Sequence, residues 1–238
     1  MRELIERRFG QRLGLSTVQL YLKRWGMTPQ KPLTRATQRS PAAVAAWLER
    51  DYPAIARRAK HEQGVVYWGD ETGISNQDQI GRSWAPRGQT PVVGRTAKRI
   101  SKSMISAVSN RGLMRFMLYD GALDIARFLT FLRRLIKDAA QKVFLVVDNL
   151  KVHHAKKVKA WVQSHRHEIE LFYLPAYAPE HNPDEYLNND VKQKLRQKPQ
   201  SDGKDELVAN TRTVLRAIQR SPARVRGYFR PHAVQYAA

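Results

Sequence analysis

Apolar residues run together or recur at fixed periods along this chain, and those periods divide it into strands and helices. Val65-Val66-Tyr67-Trp68-Gly69 and Val143-Phe144-Leu145-Val146-Val147 are apolar runs of strand length, closed by Asp70 and Asp148. Residues 101–108 and 113–119, split by the turn residues Ser109-Asn110-Arg111-Gly112, have hairpin spacing and predict an antiparallel meander. From Asp124 the period changes: Ile125, Phe128, Leu129, Leu132 and Ile136 recur at helical spacing and form one apolar stripe. A helix from about 155 to 164, a strand over 170–174, a helix from 184 to about 197 and a last helix over 205–219 complete the pattern. Strand, helix, strand connections favour parallel pairing with a right-handed crossover. The expected fold class is therefore α/β, a mixed sheet flanked by helices.

The N-terminal part reads differently. Residues 2–9 predict a short helix, Gly10 and Gly14 a turn, and Ser16-Thr17-Val18-Gln19 a capping box opening a second helix to about Trp25. With Arg7, Arg8, Arg12, Lys23 and Arg24, this pair resembles a helix-turn-helix whose reading helix starts at Ser16. An ordinary helical hairpin would show the same pattern. A helix-turn-helix needs a third helix for its core, so the motif reads as partial. A basic, Pro-rich stretch from Thr28 to Pro41 has linker character, and Ser40-Pro41 can cap a helix over about 42–61. The expected domains are 1–40, a partial helix-turn-helix with linker, and 41–238, the main domain with its C-terminal helix.

Charge then narrows the partner. Forty-two Lys and Arg stand against 21 acids, a formal net charge of +21, in a chain of 238 residues whose 42% hydrophobic content suits a buried core. A spread-out excess of this size favours a polyanion, and nucleic acid over a membrane, because no basic amphipathic segment stands out. There is no cysteine, which excludes disulfide and thiolate chemistry. No apolar stretch approaches the ~20 residues of a membrane span, and no signal peptide is evident, so a cytoplasmic protein is expected.

Against that positive background the acids stand out. Asp70 and Asp148 both end apolar runs, at the rim of the core, where an unpaired charge is costly unless a cation meets it. Asn182-Pro183-Asp184-Glu185 makes a good helix start by itself, with Asn182 as cap and Pro183 at the first helical position. On a helix advancing about 100° per residue, Leu187, Val191 and Leu195 mark the buried stripe, Asp184 falls near its centre and Glu185 to one side. Helical geometry leaves open which of the two faces a metal. His153 and His154 lack the Cys or spaced third His of a zinc site and are expected to touch DNA phosphate or cap the following helix. Tyr67, Trp68 and Trp84 are expected to pack in or beside the core, with base stacking an alternative for Trp84.

Several blocks together resemble a known family. Trp68-Gly69-Asp70-Glu71-Thr72-Gly73, Trp84-Ala85-Pro86-Arg87-Gly88-Gln89-Thr90-Pro91, Val147-Asp148-Asn149 with His153-His154, and Leu174-Pro175-Ala176-Tyr177-Ala178-Pro179-Glu180 before Asn182-Pro183-Asp184-Glu185 resemble the bacterial insertion sequence 630 family of DDE transposases, in the mariner superfamily. The resemblance spans about residues 5–200. It implies a ribonuclease H-like core, with Asp70, Asp148 and Glu185 as catalytic and metal-binding triad, 36 residues lying between the last two. It implies Mg²⁺, with Mn²⁺ able to substitute, and double-stranded DNA as partner, both the terminal inverted repeats and the target. A homodimer is implied as well; no membrane and no small-molecule substrate are expected. Residues expected on DNA are Arg12, Gln19, Lys23, Arg24, Arg87, Lys151, Lys156 and Lys157. The chain departs from the family at Asp184, usually apolar, at Asn188, commonly Trp, and in its incomplete N-terminal region. Two alternatives to a transposase are a truncated, inactive DNA-binding protein that represses transposition and a ribonuclease H-like nuclease without strand transfer.

Overall fold

The computed structural model describes residues 1–29, 39–78, 84–90, 92, 94 and 96–238. Most of the expected linker and the stretch from Gln79 to Ser83 lie outside them. Two compact units result, Met1–Thr37 and Gln38–Ala238.

In the first unit, α1 (Arg2–Phe9) ends where Gly10 turns left-handed at φ 64°, its amide donating to the Glu6 carbonyl at 2.9 Å. Helix α2 (Leu15–Arg24) starts one residue before Ser16, and no side chain caps it. This corrects the capping-box reading. Gly14 takes the extended conformation of a cap and its carbonyl accepts from the Val18 amide, which leaves Ser16 and Thr17 inside the first turn. The unit is two short helices joined by a turn, the arrangement expected of a helix-turn-helix.

In the second unit, Ser40 caps α3 (Pro41–Ala46), its hydroxyl accepting from the Ala43 amide at 3.2 Å. A single π turn over Trp47–Asp51 carries the chain into α4 (Tyr52–His61). Five strands then form one sheet, in the order β3-β2-β1-β4-β5: β1 (Val65–Ser75), β2 (Ser101–Val108), β3 (Met114–Tyr119), β4 (Val143–Val147) and β5 (Ile169–Tyr173). The meander β1-β2-β3 is antiparallel, and β1-β4-β5 is parallel. This is a ribonuclease H-like mixed sheet. Helices α5 (Ile125–Lys137) and α6 (Lys156–Ser164) cover one face; the π turn, α4, α7 (Pro183–Arg196), α8 (Lys204–Gln219) and α9 (Pro222–Gly227) cover the other.

Alternation along the strands decides which core each side chain enters. On β1, Val65 and Tyr67 join the α5–α6 core, whereas Trp68 faces α4, where it packs on Tyr52 and Phe229. The same parity sends Phe144 and Val146 of β4 to that second face. β1 also runs on past Asp70 to Ser75, because Glu71–Ser75 pair with Ile105–Ser101 of β2. Asp70 therefore ends only the pairing with β4, not the strand, which corrects the sequence reading.

Candidate active site

Asp70 and Asp148 meet because of register. β1 and β4 are paired up to Trp68 and Val146. Two residues further along the same register the chain reaches Asp70 beside Asp148, both with the parity of the α7 face. Here β1 still has β2 on one side while β4 has ended, a splay at the carboxyl end of a parallel pair, where ligands bind in α/β sheets.

The third acid arrives on α7, whose start is bolted to β1. Asn182 accepts the Asp184 amide through Oδ1 at 3.0 Å and donates through Nδ2 to the Gly69 carbonyl at 3.1 Å. Side-chain bulk at position 69 would crowd this joint, since an added Cβ would lie 3.1 Å from the Ser106 carbonyl oxygen. Held there, Glu185 lines an open cavity of about 510 Å³ together with Asp70, Asp148, Asn149, Tyr177 and Asn182. Tyr177 is exposed at its edge and holds a left-handed backbone at φ 58°.

Electrostatics in this cavity run against ionisation of Asp70 and Glu185. Burial, then the charges of Glu185 and Asp148, push the Asp70 carboxyl up to about 8, while bonds from the Glu71 amide and Asn188 oppose the shift. Burial raises Glu185 too, with Lys192 opposing and Asp148 adding. Asp184 lies beneath them, 0% exposed; burial and the charge of Asp70 raise it well above the usual carboxylate range, against a 2.6 Å hydrogen bond from the Ser106 hydroxyl. A carboxyl that resists ionisation for want of a countercharge is one a divalent cation would relieve. Among the described residues no three His, Asp or Glu side chains already close around one point. The donor set nonetheless fits Mg²⁺, which takes one or two carboxylates and completes its shell with water and phosphate oxygens.

The histidines do not take one of the two roles expected of them, that of capping the next helix. His153 is buried, its Nδ1 3.1 Å from both the carbonyl oxygen and Oδ1 of Asp148, its ring against Phe128. His154 stacks on Tyr173 and its Nε2 lies 3.1 Å from Asn149 Oδ1. Neither caps α6, whose N-cap is Ala155, with no side-chain hydrogen bond. The 151–154 turn folds both rings back onto the end of β4, so His153 braces Asp148. Tyr67 and Trp68 are buried as expected, but Trp84 is 100% exposed. It sits between β1 and β2 outside any regular element, two residues before the turn in which the Gln89 amide donates to the Pro86 carbonyl.

The residues expected on DNA fall at separate places. Arg12 precedes α2, and Gln19, Lys23 and Arg24 lie on it; all four are exposed. Arg87 is exposed in the 86–89 turn, Lys151 in the turn after β4, and Lys156 and Lys157 in the first turn of α6; none lines the cavity. Sequence reasoning missed Ser106, the contact of Asn188 with Asp70, and the bracing role of His153. The helical wheel, by placing Asp184 on the buried stripe, and the departure from the family's Trp at Asn188 were the signals that pointed toward them.

A family model described as DDE superfamily endonuclease matches residues 65–208, and one described as winged helix-turn helix matches residues 1–51. Solved structures of similar fold include the Mos1 mariner paired end complex with Mg, at 15% identity and TM-score 0.65 over 100% of this chain and 74% of that one. The paired end complex with Mn gives 14% identity and TM-score 0.63 over 99% and 77%. The catalytic domain of Mos1 mariner transposase gives 14% and 0.53 over 85% and 94%. At such identities the likeness is one of fold. No curated protein matches the chain.

Proposed function

The chain belongs to the DDE superfamily endonucleases, and on that premise we propose that it is a transposase of the insertion sequence 630 family, which cuts DNA at the ends of its element and joins them to a target. The observation that carries this reading is the shared cavity of Asp70, Asp148 and Glu185, which has no basic side chain among its described lining residues. Asp70, Asp148 and Glu185 would hold Mg²⁺, or Mn²⁺ in its place, and the bound metal would activate the attacking oxygen and stabilise charge on the leaving oxygen.

The protein's own part is placement. Register sets Asp70 beside Asp148, His153 braces Asp148, and the Asn182 cap fixes the first turn of α7, whose N-terminal dipole favours the anionic form of Glu185. Water first, and the freed 3′-hydroxyl second, would attack the phosphorus in line. In the helix-turn-helix region, Gln19, Lys23 and Arg24 of α2, with Arg12 before it, would read the terminal inverted repeats. Arg87, Lys151, Lys156 and Lys157 would hold backbone phosphates of element and target. Two copies would pair two ends as a homodimer, acting on DNA in the cytoplasm. No helix among the described residues is long and apolar enough to cross a membrane.

A strand-transfer assay with Mg²⁺ on DNA carrying the element's end sequence tests the reading. Joined products support it. Cleavage without joining would make the protein a nuclease, and binding alone would make it an inactive DNA-binding protein.

A further inference from the structure

Beneath the three cavity acids lies a second polar layer that the reaction does not require. Asp184 and Asn188 stand one turn apart on the inner face of α7, on the stripe that Leu187, Val191 and Leu195 also bury, and are 0% and 2% exposed. Asp184 accepts from Ser106, the β2 residue directly opposite Asp70. Asn188 Nδ2 donates to Asp70 Oδ2 at 2.8 Å. Each also leaves a buried oxygen without a hydrogen-bond partner, Oδ1 in both. Two apolar side chains would pack the same helix on the same sheet and leave no such atoms, and buried polar groups of this kind commonly cost stability. A costly layer that makes one outward contact, to Asp70, suits orientation better than packing.

We propose that Asn188 is a positioning residue for Asp70: its amide fixes the rotation of the carboxylate that receives the divalent cation, and the Ser106–Asp184 pair one turn earlier holds that stretch of α7 in register with β2. A neutral amide suits the task, because it donates without competing for the metal and without cancelling the negative charge that attracts it. The inference rests on the assignment of Asp70, Asp148 and Glu185 as metal ligands, and its test separates the two.

The test measures Mn²⁺ affinity, by the electron paramagnetic resonance of free Mn²⁺, together with the metal-free melting temperature, for the wild type and for Asn188→Leu, Asn188→Ala and Asp148→Asn. Asn188→Leu keeps the branching at Cγ, adds some bulk and loses the donor. It is expected to melt no lower than the wild type yet bind Mn²⁺ about 10 to 100 times more weakly, the size of effect seen when a partner of a metal ligand is removed. A purely structural role would move the melting temperature and leave the affinity alone. If Leu does not fit and the variant fails to fold, Asn188→Ala carries the same expectation for affinity with room to spare. Should Asp148→Asn weaken Mn²⁺ binding while the folded Asn188 variant binds as the wild type does, Asn188 is packing only and the proposal is overturned. Should Asp148→Asn itself bind Mn²⁺ unchanged, the ligand assignment fails and takes the proposal with it.

Discussion

Two groups of acids in this protein meet opposite fates. At one edge of the sheet, Glu62 and Glu170 share Arg58 and Lys142, with contacts of 2.5 to 3.1 Å. On α7, Asp190 takes a forked contact from Arg224 and accepts from the hydroxyl of Tyr228. Glu62 is drawn below the ordinary range by its bond from Lys142; in Glu170 and Asp190 burial pulls upward, and the donors outweigh it. Asp70 and Glu185 in the cavity and Asp184 beneath it are all raised, and no ion pair reaches them among the described residues. A chain with twice as many Lys and Arg as acids has cations to spare. It sets them in ion pairs with its structural carboxylates and, among the described residues, in none with Asp70 or Glu185, where only Lys192 acts on Glu185 through space, leaving most of that charge to be met from outside.

The largest expected break in this comparison is in catalysis. Asp70→Asn, Asp148→Asn or Glu185→Gln should each lower Mg²⁺-dependent cleavage by on the order of a thousand-fold or more, about 4 kcal/mol of barrier, with DNA affinity still measurable in a filter-binding assay. Retained cleavage in any of the three would remove that residue from the site.

Next comes pH. Asp70, raised from 3.8 to about 8, binds more protons folded than unfolded between those values, so it makes the metal-free protein less stable as pH climbs through that window. Chemical denaturation without metal should show stability falling from about pH 4 to pH 8, less steeply in Asp70→Asn. Glu62 has the opposite sign: its lowered carboxyl contributes stability above its unfolded value of 4.5 that is lost as pH falls below it. An identical pH slope in Asp70→Asn would count against an unmet charge at that position.

How much of this was visible beforehand differs between elements. The all-apolar run of β4, the stripe of α5 and the Asn182-Pro183 cap of α7 are local signals, and each element formed within about two residues of its expected limits. The second half of β1 was not legible, because Asp-Glu-Thr-Gly-Ile-Ser has no strand alternation and exists as strand only through pairing with β2. The helix α9 and the last turn, His232–Ala237, were not foreseen either; Phe229, just after α9, packs on Trp68, and Tyr236 of the last turn meets Trp47 and Tyr52, all far away in sequence. In the site, the positions of Asp70, Asp148 and Glu185 followed from motifs. Asp184 and Asn188 stood out as departures from the family, but their partners, Ser106 for Asp184 and Asp70 for Asn188, lie on separate elements and left no local trace.

Smaller effects sharpen the contrast. Arg224→Met strands the partly buried Asp190 and should cost about 1–3 kcal/mol in urea unfolding while leaving cleavage per folded molecule intact. Glu62→Gln touches an exposed network and should stay within about 0.5 kcal/mol of the wild type. Lys156→Ala and Lys157→Ala should each lower the slope of log affinity against log salt by about one unit, with no change in stability. An unchanged slope would mean that the lysine is only a solvated surface residue.

The most direct measurement is calorimetric titration of Mg²⁺ into the DNA-free protein near pH 7, repeated in two buffers of different ionisation enthalpy so that proton exchange is read along with binding. We expect binding accompanied by proton release, because the cation displaces the proton held by Asp70, with both signals lost in Asp70→Asn and kept in Glu62→Gln. Mg²⁺ binding that releases no protons, or that survives in Asp70→Asn, would contradict a cavity whose acids wait for an outside cation.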